Sequence, residues 1–135
     1  MFCGSRKLND RINHIHERGL RMVYSDYTSS FEELLKRNQS VTIHHRNIQL
    51  AATEMYKIKK GLSSEMLNEL FRINLNTNRK NTFIIPRAKT ELMGKLSLRF
   101  FGPVIWETML PESYKNIESL EVFKEAIKKM GSKQL

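Results

Sequence analysis

The stretch from Leu96 to Lys129, LSLRFFGPVIWETMLPESYKNIESLEVFKEAIKK, carries the only tryptophan of the chain and two of its three prolines. Its aromatic series is Phe100, Phe101, Trp106, Tyr114 and Phe123. Apolar alternation over Leu96 to Phe101 predicts a β-strand. Gly102-Pro103 is expected to end that strand, and Pro103 suits the first turn of a short helix running to Leu110. Leu110-Pro111 stops this helix in turn. Ser119 then caps a last helix in which Leu120, Phe123, Ala126, Ile127 and Met130 fall at helical spacing. Trp106 is expected to anchor a core rather than to act in chemistry, and the stretch has no arrangement typical of an active site.

Just upstream, Phe83-Ile84-Ile85 is a short β-branched run ended by Pro86, the grammar of an edge strand. Pairing it with Leu96 to Phe101 gives a two-stranded β-ribbon ahead of the Trp-centred helix. Asn74 to Thr82, NLNTNRKNT, has four asparagines in nine residues and reads as a loop or hinge.

The first 73 residues read as helices. From Lys7 to Val23, Leu8, Ile12, Ile15, Gly19 and Met22 recur at spacings of 4 and 3, which predicts a buried seam. Lys7, Arg11, His14, Arg18 and Arg21 repeat the pattern one residue earlier, about 100° around the helix, and so flank that seam. Ser30-Phe31-Glu32-Glu33 matches a capping box that opens a short helix to Arg37, with Phe31, Leu34 and Leu35 facing inward. Thr42 to Lys60 is the next helix, with Ile48, Ala51, Ala52, Met55, Tyr56 and Ile58 as its apolar face and Gly61 as its stop. Ser63 is expected to cap a fourth helix whose inner face is Met66, Leu67, Leu70 and Phe71.

The expected fold is therefore mainly α, a helical bundle of about five to six helices with that small ribbon. Residues 1–73 form the helical segment, 74–82 the loop or hinge, and 83–135 the ribbon plus C-terminal helices packing on the same domain.

With 135 residues, 40% hydrophobic and 27% charged, the chain is long enough for one domain and one core. Its net charge of +9 favours a polyanionic partner, nucleic acid before membrane. Charge is concentrated: from Arg72 to Arg99 there are seven Lys or Arg and a single acid, Glu91. Cys3 is the only cysteine, which excludes a disulfide framework or a cysteine zinc set. No run has signal-peptide or membrane-spanning character, so the expectation is a nuclear or cytoplasmic chain without membrane attachment.

Catalytic readings fail on inventory. Tyr24-Ser25-Asp26-Tyr27 has a superficial likeness to a polymerase Y-x-D-D signature, but two-metal phosphoryl transfer needs clustered carboxylates, and the only other aspartate is Asp10. A polar turn between helices accounts for it. His14 and His16 diverge on a helix, as do His44 and His45, so no metal site is expected. No Gly-x-Ser-x-Gly and no phosphate-cradling glycine loop occurs. The chain is not expected to be an enzyme, nor to hold a cofactor. The cations Arg79, Lys80, Arg87, Lys89, Lys95 and Arg99 are the better candidates, as phosphate contacts. Phe83, Phe100 and Phe101 among them can either stack on bases or join the core, the core being favoured.

In several co-linear blocks the sequence resembles the C-terminal region of reverse transcriptases from LINE-type (jockey-like) non-LTR retrotransposons. These blocks are Leu8-Asn9-Asp10-Arg11-Ile12-Asn13 with His16-Glu17-Arg18 and Leu20-Arg21; Tyr24-Ser25-Asp26-Tyr27; Phe31-Glu32-Glu33-Leu34-Leu35; and Ile43-His44-His45-Arg46-Asn47. Tyr56-Lys57, Gly61-Leu62-Ser63, Phe100 to Pro103, Ile105-Trp106-Glu107, Leu110-Pro111, Ser119-Leu120 and Phe123-Lys124 complete them. The resemblance implies a helical thumb and the domain after it, from an RNA-directed DNA polymerase whose metal-binding aspartates lie upstream in a palm. It carries over no catalytic residue. Related elements often end in a Cys-rich tail, which Gly131 to Leu135 does not match, and the start at Met1 reads as a cut reading frame. The expected function is non-catalytic contact with RNA or an RNA/DNA hybrid through phosphates, by Lys7, Arg11, Arg18, Arg21, Arg79, Lys80, Arg87, Lys89, Lys95 and Arg99, with the upstream polymerase domain as a further partner. The alternative is a structural or protein-interaction helical module, a retroelement remnant with no nucleic-acid role.

Overall fold

Caps written into the sequence set the boundaries of two of the helices. The computed structural model of the chain describes residues 6–74, 82–90, 94–95 and 97–130, and these are mainly helical. In order they form α1 (Arg6–Tyr24), α2 (Phe31–Arg37), α3 (Ile43–Lys59), α4 (Glu65–Leu70), α5 (Leu98–Val104), α6 (Glu112–Lys115) and α7 (Leu120–Met130). A π-helical turn, Ile105–Met109, continues α5.

The Ser30 capping box is formed at both of its bonds. The Glu33 N–H donates to Ser30 Oγ at 3.3 Å, and the Ser30 N–H donates to Glu33 Oε2 at 2.8 Å. Thr42 Oγ1 accepts from the His45 N–H at 3.3 Å and starts α3. At the far end Gly61 turns left-handed, φ +70°, and two bonds close a Schellman motif: Leu62 N–H to Lys57 C=O at 2.8 Å and Gly61 N–H to Ile58 C=O at 3.2 Å.

The main core gathers on α3. Ile48, Ala51, Ala52, Met55, Tyr56 and Ile58 are all buried, against α5, the π turn and α7. Trp106 lies fully buried at its centre, edge-on to Phe83 at 5.8 Å and tilted against Phe123 at 6.1 Å. Phe123 stacks on Tyr56 at 4.4 Å. The Tyr56 hydroxyl reaches the carbonyls of Ile117 (2.8 Å) and Glu118 (2.6 Å), so the chain entering α7 is held to α3 by a polar contact as well. Truncating a buried aromatic of this kind removes about 3–5 kcal/mol.

The expected ribbon is not seen among the described residues. Residues 98–101 belong to α5, and Phe83 pairs instead with Ile73 in one antiparallel bridge. The N–H of Asn74 donates to Thr82 C=O at 2.8 Å, and that of Ile84 to Arg72 C=O at 2.9 Å, so the chain doubles back on itself there. Residues 75–81, most of the expected hinge, lie outside the described residues.

Gly102-Pro103 does not end a strand; it sits inside a helix. Leu98, Phe101, Gly102 and Ile105 share a face that packs on α3. Gly102 lets α3 approach: a Cβ there would lie 2.7 Å from Met55 Sδ. Pro103 has no N–H to offer the Arg99 carbonyl four residues back, and the ladder relaxes into the wider π turn just after it.

α1 also differs from expectation. Ile15 and Met22, members of the predicted seam, are 70% and 73% exposed. The docked face is one step round, with Leu20 buried and Ile12, His16 and Tyr24 half-buried. Leu20 packs with Leu34 and Leu35 of α2 in a second, separate cluster, flanked by Tyr24 and Phe31. In α4, Ser64 rather than Ser63 is the N-cap; the Ser63 hydroxyl bonds Glu54 Oε1 at 2.7 Å. Met66 and Leu70 point outward, and only Phe71, just past the helix, is buried.

Candidate nucleic-acid interface

Residues 84–90, just past the Ile73–Phe83 bridge, belong to no helix or strand, and Arg99 lies in α5. Several predicted cations come together here. Arg87 and Arg99 line two clefts, one of about 240 Å³ shared with Arg72, Ile84 and Pro86, the other of about 390 Å³ shared with Lys89 and Phe100. None of the described residues lining either cleft is acidic. Arg72, Arg87, Lys89 and Arg99 are all exposed.

The aromatics divide by position. Phe83 is buried against Phe71 and Trp106 and is core. Phe101 packs half-buried against the main cluster. Phe100 is half-buried on the wall of the larger cleft, beside Arg99. Of the three it is the one that lines a cleft together with the basic-segment cations.

Lys95 is exposed, its N–H bonded to Thr90 C=O at 3.2 Å. Arg79 and Lys80 lie outside the described residues. Lys7, Arg11 and Arg18 are exposed on α1 and line neither cleft. Arg21 is half-buried and already engaged: its Nε donates to Glu17 Oε1 at 3.2 Å, and its Nη2 bonds the same oxygen.

Asp26, the aspartate of the polymerase-like tetrapeptide, caps a turn. It accepts from Ser29 Oγ at 2.7 Å, the Ser29 N–H at 3.0 Å and the Thr28 N–H at 3.1 Å, which hold its carboxyl far below the usual carboxylate range. His44 and His45 at the start of α3 are both held below the ordinary imidazole value by burial. Among the described residues no three His, Cys, Asp or Glu side chains gather to hold a metal ion, and no helix is long and apolar enough to cross a membrane.

Three other cations escaped the sequence reading. Lys36, Arg46 and Lys128 line a third cleft, of about 850 Å³. They sit on three different helices, so no run or periodic row in the sequence links them. Compared with known protein families, curated proteins and solved structures, the chain matches none.

Proposed function

We propose that this chain is a non-catalytic, nucleic-acid-contacting C-terminal fragment of a retrotransposon reverse transcriptase, gripping RNA or an RNA/DNA hybrid by its phosphates. The observation that carries the reading is the convergence of Arg87 and Arg99 on two clefts with Arg72, Lys89 and the ring of Phe100. Cations set around a half-buried aromatic suit a backbone on one side and an unstacked base on the other. The co-linear sequence blocks supply the family. Two aspartates, one of them consumed by a turn, leave the phosphoryl-transfer chemistry to a palm outside this chain.

Salt-titrated binding to an RNA/DNA hybrid tests this. Each neutralised phosphate contributes roughly 0.7 to 0.9 to the slope of log K against log salt. R87Q/R99Q is expected to weaken binding and flatten that slope by about 1.5. Absence of binding at low salt would overturn the reading.

A second reading, a protein-interaction module, is favoured by the outer face of α1, where Ile15, Met22 and Val23 are exposed with Leu8 half-exposed. A thermal shift on adding a protein partner, with none on adding nucleic acid, would select it.

A further inference from the structure

The third cleft runs between the α1–α2 pair and the start of α3. Lys36 reaches it from α2, Arg46 from α3 and Lys128 from α7, with His16 from α1 and no acid among the described residues on its walls. Arg46 Nη1 rests on Oε1 of Gln49 at 3.4 Å, and Gln49 is itself buried on the cleft wall. Ile43, the first residue of α3, lines the same space, and the first turn of that 17-residue helix contains no acid. The positive end of its dipole therefore adds to three side-chain cations without an internal counter-charge. Like charges gathered from separate helices repel one another across the cleft, and a multivalent anion relieves that repulsion.

We propose that this cleft is a phosphate-binding site that takes consecutive phosphates, held by Lys36, Arg46 and Lys128 around Gln49. It is distinct from the Arg87–Arg99 clefts. It rests on the nucleic-acid reading only for the source of its phosphates, a strand or a free polyphosphate.

The test uses the full chain, inorganic pyrophosphate and oligo(dT), with the Gln49 side-chain amide followed by NMR. Pyrophosphate should shift that amide saturably. The shift should vanish in K36Q/R46Q/K128Q and persist in K60Q/K124Q/K129Q, a charge-matched set outside the cleft. All six cations lie on or beside helices, and circular dichroism checks that both variants fold. If oligo(dT) moves the same amide and pyrophosphate competes with it, a strand is the source. The triple cleft variant should then lose tenfold or more in oligo(dT) affinity, with the salt slope falling by about 2. If pyrophosphate binds there while neither oligo(dT) nor an RNA/DNA hybrid binds at all, the source is a free polyphosphate, and the nucleic-acid reading fails without the cleft. No shift of Gln49 with either probe, or equal loss in the control variant, overturns the proposal. Oligo(dT) binding that both triple variants leave unchanged overturns the cleft as a strand site and leaves the Arg87–Arg99 reading in place.

Discussion

Glu107 Oε1 accepts the backbone N–H of Phe83 at 2.8 Å, while Oε2 of the same carboxylate faces Lys115 Nζ at 3.8 Å. Glu107 and Lys115 are both almost fully buried at the side chain. One carboxylate thus ties the returning chain at Phe83 and α6 to the π turn that carries Trp106. Glu107→Ala strands a buried ammonium, left with the exposed Glu112 at 3.0 Å, together with an unbonded N–H. The expected loss is about 3–5 kcal/mol by urea unfolding. Glu107→Gln keeps an acceptor for Phe83 and should lose less.

The Tyr56 hydroxyl is the only polar group of a ring otherwise packed on Phe123, and burial raises its pKa. Tyr56→Phe preserves the stack and leaves the Ile117 and Glu118 carbonyls short of a donor. A loss of about 1–3 kcal/mol is expected, with faster hydrogen exchange in the first turn of α7.

Opposite behaviour is expected on the two sides of α1. Leu20→Ala opens a gap in a small cluster and should cost about 2–4 kcal/mol. Ile15→Gln and Met22→Gln, on the exposed side, should each stay within about 0.5 kcal/mol. Thermal melts of the three variants check the assignment of the buried face.

These variants also mark where the sequence was legible. α2 and α3 were, because a capping box and a helix-stopping glycine are local chemistry that tertiary context seldom overrides. The burial of Trp106 was also legible. α1 was not: it offers Leu8–Ile12–Ile15–Met22 and Ile12–His16–Leu20–Tyr24 as neighbouring stripes, and the partner, Leu34 and Leu35 of α2, decides between them. At Leu96 to Phe101, alternation and a Gly-Pro break imitated a strand end. The helical set Leu98, Phe101, Gly102 and Ile105 was equally present, and the close approach of Met55 to Gly102 selects it. Of the candidate site, the Arg72–Arg99 cluster was visible as a charge run. The Lys36–Arg46–Lys128 cleft was not, since it exists only once three helices meet.

Stability should fall on mild acidification. His44 and His45 have folded pKa values held down by burial, so below about 6.5 the unfolded chain binds more protons than the folded one. Their contribution is intact above that value and is lost as pH falls from it toward the folded values. His45→Gln should flatten this window. Asp26, also depressed, acts separately: its contribution is present above about 3.9 and is lost only as pH falls further. Asp26→Asn should alter the acid limb alone in a pH series of thermal melts.

Gln39 holds a left-handed conformation, φ +50°, after α2, where Ser40 N–H bonds Leu35 C=O at 3.0 Å. Gln39→Gly relieves it and should raise stability by about 0.5–1 kcal/mol.

The Leu20–Leu34–Leu35 cluster shares no buried residue with the core around Trp106. A pair of helices with its own small apolar seal can swing or unfold while the larger body stays intact. Amide protons of α1 and α2 should then exchange in one early cooperative step, ahead of α3 and α7. The hinge line of that step is the third cleft, so whatever fills it joins the two bodies, and a ligand there would slow exchange across both helices without touching most of the amides it protects.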